Sequence, residues 1–185
     1  MRLYLDNNLV THALRHIQGI TTNMPHETLA LVALSARTDV SMIVSDESLA
    51  EIRKLPENSL NRKALEPFFF KLRDNSLSIP IIRNSNVTWD DPIALWDSPN
   101  VYWDHPYDDS DLNKAKALLI SKGNHDEFDA RYIANTMLVT NNIYAFLTVD
   151  KRTIWNYRED IKNVLGVLVK LPSELLEELN ALADD

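Results

Sequence analysis

Four carboxylic acids, distant along the chain, occupy positions where an active site of a parallel α/β fold would form: Asp6, Glu51, Asp129 and Asp150. Asp6 and Asp150 each follow a short apolar segment typical of a buried strand. Glu51 and Asp129 lie in the first turns of helical patterns. Because strand carboxyl ends and helix amino ends meet along one edge of an open parallel sheet, where such folds bind ligands, we expect these side chains to lie close together.

Carboxylates gathered in one pocket repel each other unless a cation neutralises them. A site built from oxygen ligands alone suits Mg²⁺ or Mn²⁺. The chain has no cysteine, which excludes disulfides and thiolate chemistry and removes the sulfur ligands usual for zinc. The pattern therefore predicts metal-dependent chemistry and favours phosphate esters as substrates.

Composition favours one ordinary globular domain over residues 1–185, with 45% apolar and 25% charged residues. The net charge of −8 argues against a protein that coats nucleic acid, which is normally basic. An enzyme acting on nucleic acid would still need a local basic rim. Candidates for that rim, each near one of the four acids in sequence, are Arg53, Lys54, Arg131, Lys151 and Arg152. The alternative is that these are solvated charges on helix faces.

The chain has no signal-peptide pattern and no apolar run near the roughly 18 residues of a membrane span, which predicts a cytoplasmic protein without membrane contact.

Apolar periodicity predicts strands that alternate with helices. Strands are predicted at 2–5, 41–44, 77–82, 144–149 and 164–169, and helices at 7–17, 47–55, 60–73, 112–122, 126–141, 151–161 and 172–182. A further helix opens at Pro25, with Leu29, Leu31, Val32 and Leu34 as its apolar face. The alternation predicts an α/β fold with a parallel sheet and right-handed crossovers.

Residues 84–111 differ from the rest of the chain. They contain seven aspartates and no Lys or Arg, and the pattern Trp-Asp-x-Pro occurs three times, starting at Trp89, Trp96 and Trp103. A proline every seven residues excludes a continuous helix. We interpret the segment as an insertion that covers core surface as a lid, with a partner-binding arm as the alternative.

Four segments resemble, in order, the motifs of PIN domains. They are 3–10, with its strand followed by Asp-x-Asn; 45–52, whose last acid is Glu51; 129–134, with Asp-Ala-x-x-x-Ala; and 147–150, a strand ending in Thr-x-Asp. The segment 164–174 also resembles the family's closing strand and helix start. Glu47 and Asp126 lie one turn before Glu51 and Asp129 and remain alternatives for the second and third acids.

The resemblance implies a three-layer α/β/α domain with a five-stranded parallel sheet of order 3-2-1-4-5. It implies a Mg²⁺- or Mn²⁺-dependent ribonuclease, often the toxin of a toxin–antitoxin pair and often a homodimer. The metal ligands would be Asp6, Asp129 and Asp150, and Glu51 would bind the ion or orient the nucleophile. Asn8 and Thr148 would support the carboxylates, and Arg131, Lys151 and Arg152 would contact RNA. An antitoxin would insert a basic residue among the acids.

Three alternatives compete with this interpretation. Asp6 and Asp150 could simply cap the helices that follow them. A phosphatase of the haloacid dehalogenase type would carry Asp-x-Asp after its first strand, whereas this chain has Asn8 at the second position. A binding module could have kept the fold and lost the chemistry.

Overall fold

The computed structural model describes residues 1–20, 22–44, 46–75, 109–138 and 143–182. The strand predicted at 77–82 and the three Trp-Asp-x-Pro repeats lie outside these ranges.

The described chain alternates strands with helices. The strands are β1 (Arg2–Leu5), β2 (Ser41–Ile43), β3 (Ala145–Leu147) and β4 (Val169–Lys170). The helices are α1 (Asn7–Ile17), α2 (Pro25–Ser35), α3 (Asp46–Lys54), α4 (Leu60–Asn75), α5 (Asp109–Ser121), α6 (Glu127–Leu138), α7 (Arg158–Leu165) and α8 (Pro172–Ala181), with a 3₁₀ turn at Trp155–Tyr157.

The four described strands form one parallel sheet of order β2-β1-β3-β4. Tyr4 of β1 lies opposite Ile43 of β2 and Phe146 of β3. The predicted α/β class and parallel sheet are therefore confirmed. Three of the five predicted strands occur at the predicted positions, and β4 overlaps the predicted last strand only at Val169. The described strands keep the predicted relative order, and the strand at 77–82 stays a prediction because its segment is not described.

Helices cover both faces of the sheet. Alternate residues of each strand point to opposite faces, so each strand contributes side chains to both layers. Leu3 and Leu5 of β1 pack into a largely aliphatic cluster with residues of α1, α2, α3, α4 and α8. Tyr4 packs into a second cluster with residues of α5, α6 and α7. In that cluster the ring centroids of Tyr4, Tyr132 and Phe146 lie 5.6 to 6.2 Å apart. These ring contacts hold α6 against the middle of the sheet.

Local capping determines where the helices near the sheet edge begin and end. Asp6 caps α1 by accepting a hydrogen bond from the backbone N–H of Asn8. Asp126 caps α6 in the same way, since its Oδ1 accepts from the Phe128 N–H at 2.9 Å. Gly123, with φ +80°, follows α5 and lets the next N–H, that of Asn124, return to the carbonyl of Leu119 at 2.9 Å.

The predicted strand at 164–169 is mostly wrong. Its first residues end helix α7, in which Ile161 and Leu165 share a buried face, and β4 consists of Val169 and Lys170 alone. Gly166, with φ +71°, ends the helix and separates the two elements. The predicted helix at 151–161 begins only at Arg158, after a turn and the 3₁₀ segment.

The predicted apolar face of α2 is only half correct. Leu31 and Leu34 are buried, whereas Leu29 is 58% exposed and Val32 is 37% exposed. The helix carries apolar residues around most of its circumference, so periodicity alone does not indicate which of them face the core. In the described residues no helix combines the length and apolarity needed to cross a membrane.

A buried carboxylate joins α2 to α8. Glu27 accepts hydrogen bonds from the backbone N–H of Ser173 at 3.0 Å and from its hydroxyl at 2.9 Å. The residue before α8 is Leu171, which has no side-chain acceptor. Glu27 therefore adds a second negative partner to this helix start, beside Glu174 of the first turn, which accepts from the Leu171 N–H at 2.9 Å.

We predict that Glu27→Ala lowers the free energy of unfolding by about 2 kcal/mol, because two buried donors lose their acceptor. Urea unfolding followed by circular dichroism measures this change. Glu177→Ala, an exposed residue on α8, is the control and should change stability by less than about 0.5 kcal/mol. Equal effects of the two variants would contradict the capping role.

Candidate functional site

All four candidate acids line one pocket at the carboxyl edge of the sheet. Asp6 follows β1, Asp150 follows β3, Asp129 lies in the first turn of α6, and Glu51 lies on α3. The pocket has a volume of about 650 Å³, and its walls also include Asn8, Asn124, Arg152 and Thr153. The structure thus brings together four residues that are up to 144 positions apart in the sequence.

Asp6 is the most enclosed of the four, with 2% of its surface exposed. Its Oδ2 accepts a hydrogen bond from the Thr148 hydroxyl at 2.6 Å, and the Asn8 side-chain amide lies 3.4 Å from the same oxygen. Pairing of β1 with β3 sets this arrangement, because the Asp6 N–H donates to the Leu147 carbonyl at 2.9 Å. Asp6 is therefore both a helix cap and a pocket residue, and its carboxylate contacts Asn8 and Thr148, the two residues expected to support it.

Burial raises the pKa of Asp6 to about 7. The Thr148 hydroxyl opposes this shift by stabilising the charged form, whereas the negative charges of Asp129 and Glu51 add to it. Asp6 therefore exchanges its proton near neutral pH, which an ordinary aspartate does not do.

Asp150 is held by the turn that follows it. Its Oδ1 accepts from the backbone N–H groups of Arg152 and Thr153 at 2.9 and 2.8 Å, and its Oδ2 accepts from the Thr153 hydroxyl at 2.6 Å. The Asp150 N–H donates to the Thr148 hydroxyl oxygen at 2.9 Å. Thr148 therefore connects the two acids, because its hydroxyl donates to the Asp6 carboxylate and accepts from the Asp150 backbone N–H.

Asp129 faces the same turn from helix α6. Its Oδ2 accepts from the Asn124 side-chain amide at 2.8 Å and lies 3.2 Å from the Thr153 hydroxyl. Burial raises the pKa of Asp129 to about 6; the Asn124 amide opposes the shift, and the charges of Asp126 and Asp150 add to it.

Glu51 is oriented by a residue that the sequence did not indicate. Its Oε2 accepts from the hydroxyl of Tyr132 at 2.7 Å. Tyr132 is 1% exposed and lies one helical turn after Asp129. Burial, followed by the charge of Glu51, raises the pKa of Tyr132 well above its usual range, so this phenol stays protonated and donates. The only sequence signal was its spacing of three from Asp129.

The structure allows a comparison of Asp126 with Asp129 as the third acid, but not of Glu47 with Glu51 as the second. Asp126 also lines the pocket, but it is exposed and its Oδ1 caps α6, whereas the carboxylate of Asp129 is half-buried. The side chain of Glu47 lies outside the described part, so the choice between Glu47 and Glu51 is not decided by contacts.

Of the three cations predicted to contact RNA, Arg152 lines the pocket and is exposed. Arg131 forms an ion pair with Glu127 at 3.0 Å, and the Lys151 ammonium lies 5.7 Å from the Trp155 ring centroid. Of the other candidate rim residues, Arg53 pairs with Glu66 and Lys54 lies over the Phe128 ring. Sequence reasoning missed six pocket residues, because no local pattern separates them from ordinary turn and loop residues: Lys122, Gly123, Asn124, His125, Thr153 and Tyr157.

The chemistry of this donor set fits a hard divalent cation, because carboxylate oxygens are its preferred ligands. The positive charge of a cation would also offset the burial and mutual repulsion that raise the pKa of Asp6 and Asp129. Within the described ranges, however, no three Asp, Glu or His side chains are placed to hold one metal ion. Their oxygens are instead occupied by hydroxyl, amide and phenol donors.

We predict that the metal-free protein loses stability as pH rises from about 4 to about 7. Over this range the unfolded state releases the proton of Asp6 while the folded state retains it. The free energy of unfolding therefore falls by about 4 kcal/mol by pH 7. Urea unfolding in EDTA across this range should show a smaller loss for Asp6→Asn, whose side chain does not ionise. Identical pH dependences for the two proteins would contradict the raised pKa.

No protein-family model, curated protein or solved structure matches this chain. The chemistry of the pocket is therefore inferred from its own residues and from the resemblance of the four motifs to PIN domains.

Proposed function

We propose that this protein is a metal-dependent endoribonuclease that hydrolyses phosphodiester bonds in RNA. The observation that carries the proposal is the meeting of Asp6, Glu51, Asp129 and Asp150 in one pocket at the carboxyl edge of a parallel sheet. The ordered resemblance to PIN motifs supports the same activity.

Each acid has a distinct role in this proposal. Asp6, Asp129 and Asp150 would hold Mg²⁺ or Mn²⁺, and Glu51, oriented by Tyr132, would assist the nucleophile. A bound divalent cation supplies a water molecule that ionises near neutral pH. Asp6 and Asp129 would have to release their protons to bind it, so affinity should rise with pH up to neutrality.

The substrate requires positive charge near an acidic pocket. Arg152 and Lys122 supply it, although the Lys122 ammonium also pairs with Asp160 at 2.5 Å. In a chain of net charge −8, these two side chains are the pocket cations that would attract the RNA backbone.

The partners implied by the resemblance belong to this proposal as well. A toxin of this kind would act as a homodimer and would be inhibited by an antitoxin that places an arginine against the acids. The exposed Leu29 and Val32 of α2 offer apolar surface for contact between subunits.

A second candidate function is a non-catalytic binding module of PIN-like fold. The observation that favours it is that, within the described ranges, the carboxylates are engaged by hydroxyl and amide donors and no three of them are grouped around one point. Cation-dependent cleavage separates the two functions.

We predict that the wild-type protein cleaves single-stranded RNA with Mg²⁺ or Mn²⁺ and not in EDTA. Asp129→Asn should reduce the rate at least about 100-fold, because it removes a charged ligand. Asp126→Asn is the matched control, since Asn caps helices as well as Asp does, and it should stay within about threefold of wild type. Equal losses in both variants, or cleavage in EDTA, would count against the proposed roles.

We predict that Tyr132→Phe lowers the maximal rate about tenfold while KM changes little, because Glu51 loses the donor that orients it. The matched control is Tyr144→Phe, which removes an exposed hydrogen bond to Glu178 outside the pocket. Steady-state kinetics on a short RNA measures both variants. A rate unchanged in Tyr132→Phe would show that Glu51 does not need its phenol partner.

A further inference from the structure

The Thr153 hydroxyl lies between two of the candidate metal ligands. It is 2.6 Å from Asp150 Oδ2 and 3.2 Å from Asp129 Oδ2. A hydroxyl carries one proton, so the two carboxylates share a single donor. The contact joins helix α6 to the turn after β3, and it links the two acids through one side chain.

Asn124 holds the other end of this bridge. Its side-chain Nδ2 donates to Asp129 Oδ2 at 2.8 Å and to the Thr153 carbonyl at 3.2 Å, and its Oδ1 accepts from the Asp126 N–H at 2.9 Å. Asn124 is 5% exposed. Both amide hydrogens and the amide oxygen are thus engaged, which leaves the side chain one orientation.

The contacts exceed what the turn itself requires. Asp150 Oδ1 already accepts both backbone N–H groups of the turn, those of Arg152 and Thr153, and this alone would cap it. The Thr153 hydroxyl adds a bond to the second Asp150 oxygen at 2.6 Å, and from there it also reaches Asp129 Oδ2, 24 residues away in the sequence.

We propose that Thr153, held in place by Asn124, is a positioning residue that sets the separation of the Asp129 and Asp150 carboxylates so that the pair can bind one divalent cation. This inference rests on the proposed metal-dependent function and deepens it. Thr153 and Asn124 carry no charge, and no sequence pattern selects them.

The test compares Thr153→Val with Thr153→Ser. Valine keeps the shape of threonine and removes the hydroxyl, whereas serine keeps the hydroxyl. Thr11→Val is the control: Thr11 is half-buried, and its hydroxyl donates to the Asn7 carbonyl outside the pocket. Asn124→Ala tests the other end of the bridge.

Two measurements are made on each variant. The first is the carboxyl ¹³C chemical shifts of Asp129 and Asp150 by NMR in the metal-free protein. The second is Mn²⁺ affinity by electron paramagnetic resonance. We expect Thr153→Val to change the carboxyl shifts of both aspartates and to weaken Mn²⁺ binding at least about tenfold, as expected for partners of metal ligands. Asn124→Ala should weaken Mn²⁺ binding similarly, whereas Thr153→Ser and Thr11→Val should stay within about threefold of wild type.

The outcomes separate the two proposals. Unchanged carboxyl shifts in Thr153→Val, or wild-type Mn²⁺ affinity in that variant, would overturn the positioning role. Equal weakening by Thr153→Val and Thr153→Ser would also overturn it, because the effect would then not depend on the hydroxyl. A wild-type protein that binds Mn²⁺ but cleaves no RNA would overturn the ribonuclease proposal while both measurements on Thr153 still decide the inference.

Discussion

The pairing of β1 with β3 is the constraint on which the pocket depends. It places Leu5 beside Leu147, so the next residues, Asp6 and Thr148, meet at the sheet edge and form a 2.6 Å hydrogen bond. Thr148 also receives the Asp150 N–H, and the turn that begins there reaches Asp129 through Thr153. Three acids from three segments are thus connected by two threonine hydroxyls.

The arrangement is energetically unfavourable for an apo protein near neutral pH. Burial raises the pKa of Asp6 and Asp129, so each ionised carboxylate lowers the stability of the fold. Such a cost persists in natural proteins mainly where a site needs it. Both core clusters, together with the buried Glu27 cap on α8, provide the stability that offsets this cost.

The sequence was sufficient to predict the α/β class, the parallel sheet and the pocket position of the four acids. Asp6 and Asp150 follow strands and Asp129 lies in the first turn of α6, whereas Glu51 lies in the second turn of α3 and not in the predicted first turn. The sequence was insufficient where the signal was ambiguous. Val164 and Leu165 continue a helix although they begin an apolar run, because short apolar runs fit either element. Asn124, Tyr132 and Thr153 were missed because their roles arise from contacts across the fold, and each has an ordinary local role as a turn or helix residue.

The packed rings of Tyr4, Tyr132 and Phe146 have a consequence for how this protein can change over evolution. Tyr132 contributes both to the ring contacts and to the orientation of Glu51, and it shares helix α6 with Asp129. Repacking this face would shift the pocket, so drift there is restricted. The opposite face is largely aliphatic and can accept volume-conserving exchanges more freely, except next to Glu51, where Leu49 and Ile52 of α3 belong to that cluster. Sequence divergence should therefore be lower on the face that carries Tyr132 than on the aliphatic face.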